Sequence, residues 1–273
     1  MLNNYFSTML VIKNELSIRF WCVILILTIL LVFLKRKMKR KIDGPLPEAK
    51  RFKMQKARII LTIDCEAAGR NPFKHPTIQA ALALMELTER NEINVMDTLN
   101  VCIAFEKGDE WEERCEKTFW QKQDPDGEIR MDIMKNSIPK KQAADKIYHF
   151  VVNARKKHPD LKYVSDNSAY DYPLISEFLL QRHGYPPLHY IMEPLNKENI
   201  EGKHYSGFPE DSGSFIKGVC YMRGITKQMY KDGIKEEFEE FMKREQQKID
   251  FTFKLHSAIY DAIKIGFEYL KLF

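Results

Sequence analysis

Three short patches, far apart in the chain, carry residues of one chemical kind. They are Asp64-Cys65-Glu66, Asn167-Ser168-Ala169-Tyr170-Asp171 and His256-Ser257-Ala258-Ile259-Tyr260-Asp261. In order they supply Asp, Glu, Asp, His and Asp. Carboxylate oxygens are hard ligands that suit Mg²⁺ or Mn²⁺ rather than zinc. Four of them can hold two such ions and activate a water between them. The reaction class that needs such a set is metal-assisted phosphodiester hydrolysis.

Each patch has a local geometric reason. Arg58-Ile59-Ile60-Leu61-Thr62-Ile63 is apolar and β-branched and reads as a buried strand. Side chains alternate faces along a strand, so Asp64 and Glu66 point the same way. Gly69 then ends the strand or starts a turn. Leu161-Lys162-Tyr163-Val164 reads as another strand. Asp171 precedes Tyr172-Pro173, and proline is favourable near the first position of a helix. Asp171 is therefore expected at a strand-to-helix junction, with Ile175, Phe178 and Leu179 on the buried face of the helix. Asp166 is the alternative third ligand. His256 and Asp261 are five apart, which separates them around a helix axis. His256 is expected on the loop before a helix and Asp261 in its first turns, with Ile263, Phe267 and Leu270 as the apolar stripe. The other six histidines read as structural or surface residues, and His75-Pro76 reads as part of a turn.

Taken together, the patches resemble the motifs of the DEDD-type 3′–5′ exonucleases, in the subgroup that carries a histidine. That family opens with Asp-x-Glu, continues with Asn-x-x-aromatic-Asp and ends with His-x-Ala-x-x-Asp. This chain has Asp64-x-Glu66, Asn167-x-x-Tyr170-Asp171 and His256-x-Ala258-x-x-Asp261. The resemblance covers about residues 57–273. One departure is Ala67-Ala68, where the family often has Thr or Ser after the Glu. A substrate contact from that hydroxyl is lost, while the metal chemistry is untouched.

The resemblance implies a division of labour. Two Mg²⁺ or Mn²⁺ ions, roughly 3.5–4 Å apart, clamp the attacking and leaving oxygens of an in-line displacement. Asp64 bridges both ions, Glu66 and Asp261 serve the ion carrying the nucleophilic water, and Asp171 completes the shell of the second ion, mainly through water. His256 acts as general base, since an imidazole pKa near ~6.5 suits proton removal at neutral pH. The implied fold is α/β, a ribonuclease-H-like mixed β-sheet flanked by helices. The implied substrate is the 3′ end of single-stranded DNA or RNA.

The N-terminus carries a separate signal. Residues 20–34 hold no charge and, as a helix, span about 22 Å; starting at Leu16, with Arg19 snorkelling, brings the span to about 28 Å against a hydrocarbon core of ~30 Å. Lys35-Arg36-Lys37-Met38-Lys39-Arg40-Lys41 follows in place of a small-residue cleavage site, so the segment reads as an uncleaved transmembrane helix rather than a signal peptide. Cations on its C-terminal side place the following domain on the cytosolic face. The five cysteines, an odd number with no metal-like pairing, and the lack of any Asn-x-Ser/Thr site agree with that side.

The organisation is then an anchor with a basic stop signal over 1–41, a Pro-containing linker over 42–56 and a catalytic domain over 57–273. The net charge of +5 conceals an asymmetry: residues 1–58 hold thirteen Lys/Arg against three Asp/Glu, so the rest carries −5. That balance argues against tight, salt-sensitive wrapping of duplex nucleic acid. The basic run suits anionic lipid headgroups instead. Thr77 to Met85 and Val95 to Phe105 read as the second and third strands of a meander. Lys140 to Lys157 reads as an amphipathic helix, and Lys231 to Lys248 as a charged, solvated one with Glu240–Arg244 pairing. Trp111, Phe119 and Trp120 suit either base stacking or the core. Stretches such as Gly218-Val219-Cys220-Tyr221 have no assignment. The competing functional class is a catalytically silent nucleic-acid-binding or scaffolding module on the same fold, and the complete five-residue set argues against silence.

Overall fold

The computed structural model describes residues 58–192, 210–248 and 257–273. The expected anchor and linker, and His256, fall outside them. Among the described residues no helix is long and apolar enough to cross a membrane.

A mixed five-stranded sheet organises the domain, in the order β3-β2-β1-β4-β5. Strands β1 (Arg58–Ala67), β2 (Thr77–Leu87) and β3 (Ile93–Cys102) form an antiparallel meander. Strand β4 (Lys162–Ser165) runs parallel to β1 on its other side, and the short β5 (Glu210–Asp211) runs parallel to β4. The third strand stops earlier than the sequence suggests. Beyond Cys102, Ile103 pairs with Ile138 instead, and Phe105 packs against Trp111.

The helices are α1 (Glu128–Lys135), α2 (Lys140–Lys157), α3 (Ser168–Ile175), α4 (Leu188–Met192), α5 (Ser212–Arg223), α6 (Lys227–Gln246) and α7 (Ala258–Leu270). They form two layers, and the alternation along β1 assigns a side chain to each. Leu61, Ile63 and Cys65 pack with Ala143, Ala144, Ile147 and Val151 of α2 and Leu174 and Ile175 of α3. Ile60, from the opposite set, packs with Phe238, Phe241 and Met242 of α6 and Ile259, Ile263 and Phe267 of α7. A strand buried on both faces must be apolar in both sets. In β1 the acidic exceptions to that rule are Asp64 and Glu66, which join the α7 side, while buried Thr62 satisfies its hydroxyl on the Ala83 carbonyl at 3.2 Å.

Close approach of α7 to the sheet depends on one glycine. A Cβ at Gly266 would lie 2.2 Å from the Met85 Sδ and 3.0 Å from the Thr62 Cγ2. A side chain there would have to displace the buried Met85 side chain or lift the helix from β1 and β2.

Three expectations need correction. Pro173 is not at the start of α3 but five residues into it, because Asn167 caps the helix before Ser168 and its carbonyl accepts the N–H groups of Tyr170 and Asp171. Helix α6 is not solvated all round: Tyr230, Phe238, Phe241 and Met242 are buried. Nor does Arg244 reach Glu240. It donates to Glu245, 2.8 Å away and fully buried, and to the Ile93 carbonyl at 2.6 Å, tying α6 to β3. The unassigned stretch 218–221 is helical, within α5.

Candidate active site

The two carboxylates of β1 meet a third from α7. Asp64, Glu66 and Asp261 each offer a ligand atom, and these atoms all lie within 4.8 Å of one another. The meeting follows from parity: both strand residues face the α7 layer, and α7 begins over that end of the strand. Ser257 caps α7, and its carbonyl accepts the Asp261 N–H at 3.1 Å, fixing Asp261 in the first turn as expected. The start of α7 is in turn pinned by Gln79, whose side-chain oxygen accepts the Ala258 N–H at 3.1 Å. Gln79 pairs across the ladder with Glu66. One glutamine thus sets the position of Asp261 relative to Glu66, a role invisible in the sequence because it depends on register.

Asp171 lines the same pocket from α3. It is only 3 % exposed. Its carboxylate accepts from the Ser165 hydroxyl at 2.5 Å and from the backbone N–H groups of Cys65 and Asn167. Those bonds hold one side of the carboxylate and tie the second motif to the first. Tyr170 adds a second tie, donating to the Gly69 carbonyl at 3.3 Å. The rival, Asp166, also lines the pocket but is engaged elsewhere: Ser212 and Lys227 approach its Oδ1, each at 3.5 Å. Gly213 leaves room for that contact, since a Cβ there would lie 2.8 Å from the same oxygen.

The pocket is open, about 640 Å³. Its opposite wall is a helical stretch over 113–123 whose middle, Glu116–Trp120, is a π-helix. That turn presents Thr118 and Phe119 to the pocket while Trp120 is buried and donates to the Ala67 carbonyl at 3.4 Å. Of the three aromatic residues singled out by sequence, only Phe119 therefore faces the site. Arg70, Lys231 and Lys264 add cations at the rim, and Lys231 pairs with Glu268 at 3.0 Å. His75 lies in the turn after β1, its Nδ1 2.9 Å from the Glu110 carbonyl. The four described cysteines are free thiols.

The electrostatics match an arrangement built for cations. Burial pushes the Glu66 carboxyl up to about 8, with repulsion from Asp261 and Asp171 adding to it. Burial also raises Asp171, to about 7, against the lowering effect of its hydrogen bonds. Asp64 is raised strongly by burial and by the repulsion of Asp171, Glu66 and Asp261. Carboxylates so placed repel one another unless protons or cations intervene, and the all-oxygen donor set fits Mg²⁺ or Mn²⁺.

A stability prediction follows. Carboxyls raised in the fold bind protons that the unfolded chain has already lost, so the metal-free fold loses stability as pH rises from about 5 to about 8. For Glu66 alone the cost near neutral pH is on the order of 3 kcal/mol. Thermal unfolding in EDTA should show the melting temperature falling across that window, and Mn²⁺ should raise it more near pH 8 than near pH 5. A melting temperature indifferent to Mn²⁺ at both values would contradict a cation site.

No protein-family model matches the chain, and no curated protein matches it in sequence. Among solved structures it is similar to a full-length 3′-exonuclease, with 14% identity and a TM-score of 0.47 over 82% of this chain and 62% of that one. It is similar to E. coli exonuclease I in complex with a dT13 oligonucleotide, with 11% identity and a TM-score of 0.42 over 79% of this chain and 40% of that one. The chain spans less than two thirds of the length of either. It is also similar to the nuclease domain of 3′hExo, a DEDDh family member, bound to rAMP, with 14% identity and a TM-score of 0.45 over 82% of this chain and 94% of that one. At these identities and scores, only the site's own residues speak to function.

Proposed function

We propose that this chain is a metal-dependent 3′–5′ exonuclease acting on single-stranded nucleic acid. The observation that carries the reading is the convergence of Asp64, Glu66 and Asp261 within 4.8 Å, in a pocket that Asp171 also lines. Two divalent cations, when bound, would supply charge neutralisation at the phosphoryl oxygens and lower the pKa of a water. Asp64, Glu66 and Asp261 would hold them, with Asp171 as the fourth carboxylate. The chain's own groups do the rest. Ser165 and two backbone N–H groups keep Asp171 turned toward the pocket, and Gln79 holds the first turn of α7 in register. His256, one residue before the α7 cap, takes the proton from the attacking water. Phe119 and Tyr170 offer aromatic surface to the terminal nucleotide.

Degradation of single strands tests the reading. A 5′-labelled DNA or RNA strand should shorten stepwise, while a 3′-labelled one should lose its label at once as mononucleotide. Internal cuts at early times would favour an endonuclease and overturn the proposal.

The anchor and its cytosolic orientation belong to the same proposal, on the strength of the apolar run at 16–34 and the cations after it. The full chain should remain with membranes through carbonate extraction, and in sealed vesicles with the cytosolic face outward added protease should cut the catalytic domain without detergent. Protection of that domain would reverse the orientation.

A further inference from the structure

The turn between β1 and β2 carries an aromatic group with no role in the core. Phe73 is 73% exposed. Its ring meets that of Phe178 edge-on, with centroids 4.8 Å apart at 88°. The Arg182 guanidinium sits 5.6 Å from the Phe73 centroid and 5.0 Å from that of Phe178. This is a fixed aromatic pair with a cation over it and a face left to solvent.

The turn is held firmly. The Phe73 N–H donates to the Asn71 side chain at 3.0 Å, and the Asn71 carbonyl accepts from Lys74 and His75 at 3.0 and 2.7 Å. The base of the turn closes through Ala68 N–H to the Pro76 carbonyl at 2.9 Å, and its flank is tied to Glu110. An aromatic ring on so restrained a turn gives up little freedom when a ligand covers it.

The same turn reaches the acid pocket, because Arg70 lines it. Three residues span at most about 10 Å, which is the length of about three stacked nucleotides. We propose that Phe73, Phe178 and Arg182 form a stacking platform for an unpaired base two to three nucleotides upstream of the 3′ end held in the pocket. The proposal rests on the exonuclease reading and deepens it by naming how the strand is held beyond the scissile bond. Charge supports this occupant. Residues 59–273 carry a net −5, so net charge does not draw a strand to the domain. Stacking on an aromatic face, with a guanidinium to draw in phosphate and base, supplies affinity without that attraction and accepts any base.

The test compares KM on a dinucleotide and on an oligothymidylate of about twelve nucleotides, using the full chain, Phe73→Ala and Phe73→Trp. With Phe73→Ala the KM for the long strand should rise by roughly 5- to 100-fold. The dinucleotide, too short to reach the turn, should show no such rise, and Phe73→Trp should keep the wild-type preference for length. A single abasic nucleotide walked along the long strand should raise KM at one upstream position in the wild type and lose that effect in Phe73→Ala. Equal KM values for wild type and Phe73→Ala on the long strand would overturn the platform and leave the surface to another partner. So would an equal loss on both lengths. A wild-type chain that hydrolyses neither strand would overturn the exonuclease reading and the platform with it.

Discussion

Asp64→Ala should lower hydrolysis by at least about 10³-fold, more than removal of a single transition-state hydrogen bond costs. Asp64 belongs to the carboxylate cluster: Glu66 shares its strand face, and one oxygen of each of Asp64, Glu66 and Asp261 lies within 4.8 Å of the others. Deleting it would remove one of the three carboxylates that would hold the ions. The fold should survive. Asp64 is part-exposed at the pocket, it is raised by burial and like charge, and its loss relieves repulsion. The metal-free variant should therefore melt at or above the wild-type temperature while being inactive. EDTA should silence the wild type to the same degree, and Mg²⁺ or Mn²⁺ should restore it. Activity undiminished in EDTA, or retained by Asp64→Ala, would contradict the metal reading; unfolding of the variant would contradict the electrostatic one.

The second large effect is expected at His256. His256→Ala should lower kcat by about 10²–10⁴-fold, the usual contribution of a positioned general base. Divalent-ion affinity should barely change, because the proposed roles give the proton to the histidine and the ions to the carboxylates. The acid limb of the pH–rate profile should flatten with it, since a base that is already protonated cannot take the proton. Calorimetry showing that His256→Ala has lost metal binding would make it a ligand instead of a base.

Much of this site is legible in the sequence, and the physical reasons are specific. Strand β1 could be read because a chain buried on both faces has to be apolar in both residue sets, so the two acids at its end stand out. Period two then fixed their common face, and the apolar spacing over 140–157 and 258–270 marked α2 and α7. What could not be read depends on register and tertiary contact. Gln79 matters because it faces Glu66 across the ladder and meets Ala258 in space, 179 residues away. Ser165 matters because Asp171 folds back onto it. The choice between Asp171 and Asp166 was open in sequence, and the partners of Asp166, Ser212 and Lys227, come from segments that no local pattern connects to it. Helix α6 hides a narrow apolar face behind dense charges, so its buried side is not legible in the sequence.

Direct titration of the metal-stripped full chain with Mn²⁺ in a calorimeter, beside Asp64→Ala, tests the central claim. The wild type should take up two ions per chain, the number such a carboxylate centre holds, and Asp64→Ala should lose that uptake while keeping its fold. A wild type that binds no Mn²⁺, or an Asp64→Ala variant that binds it as the wild type does, would contradict the account.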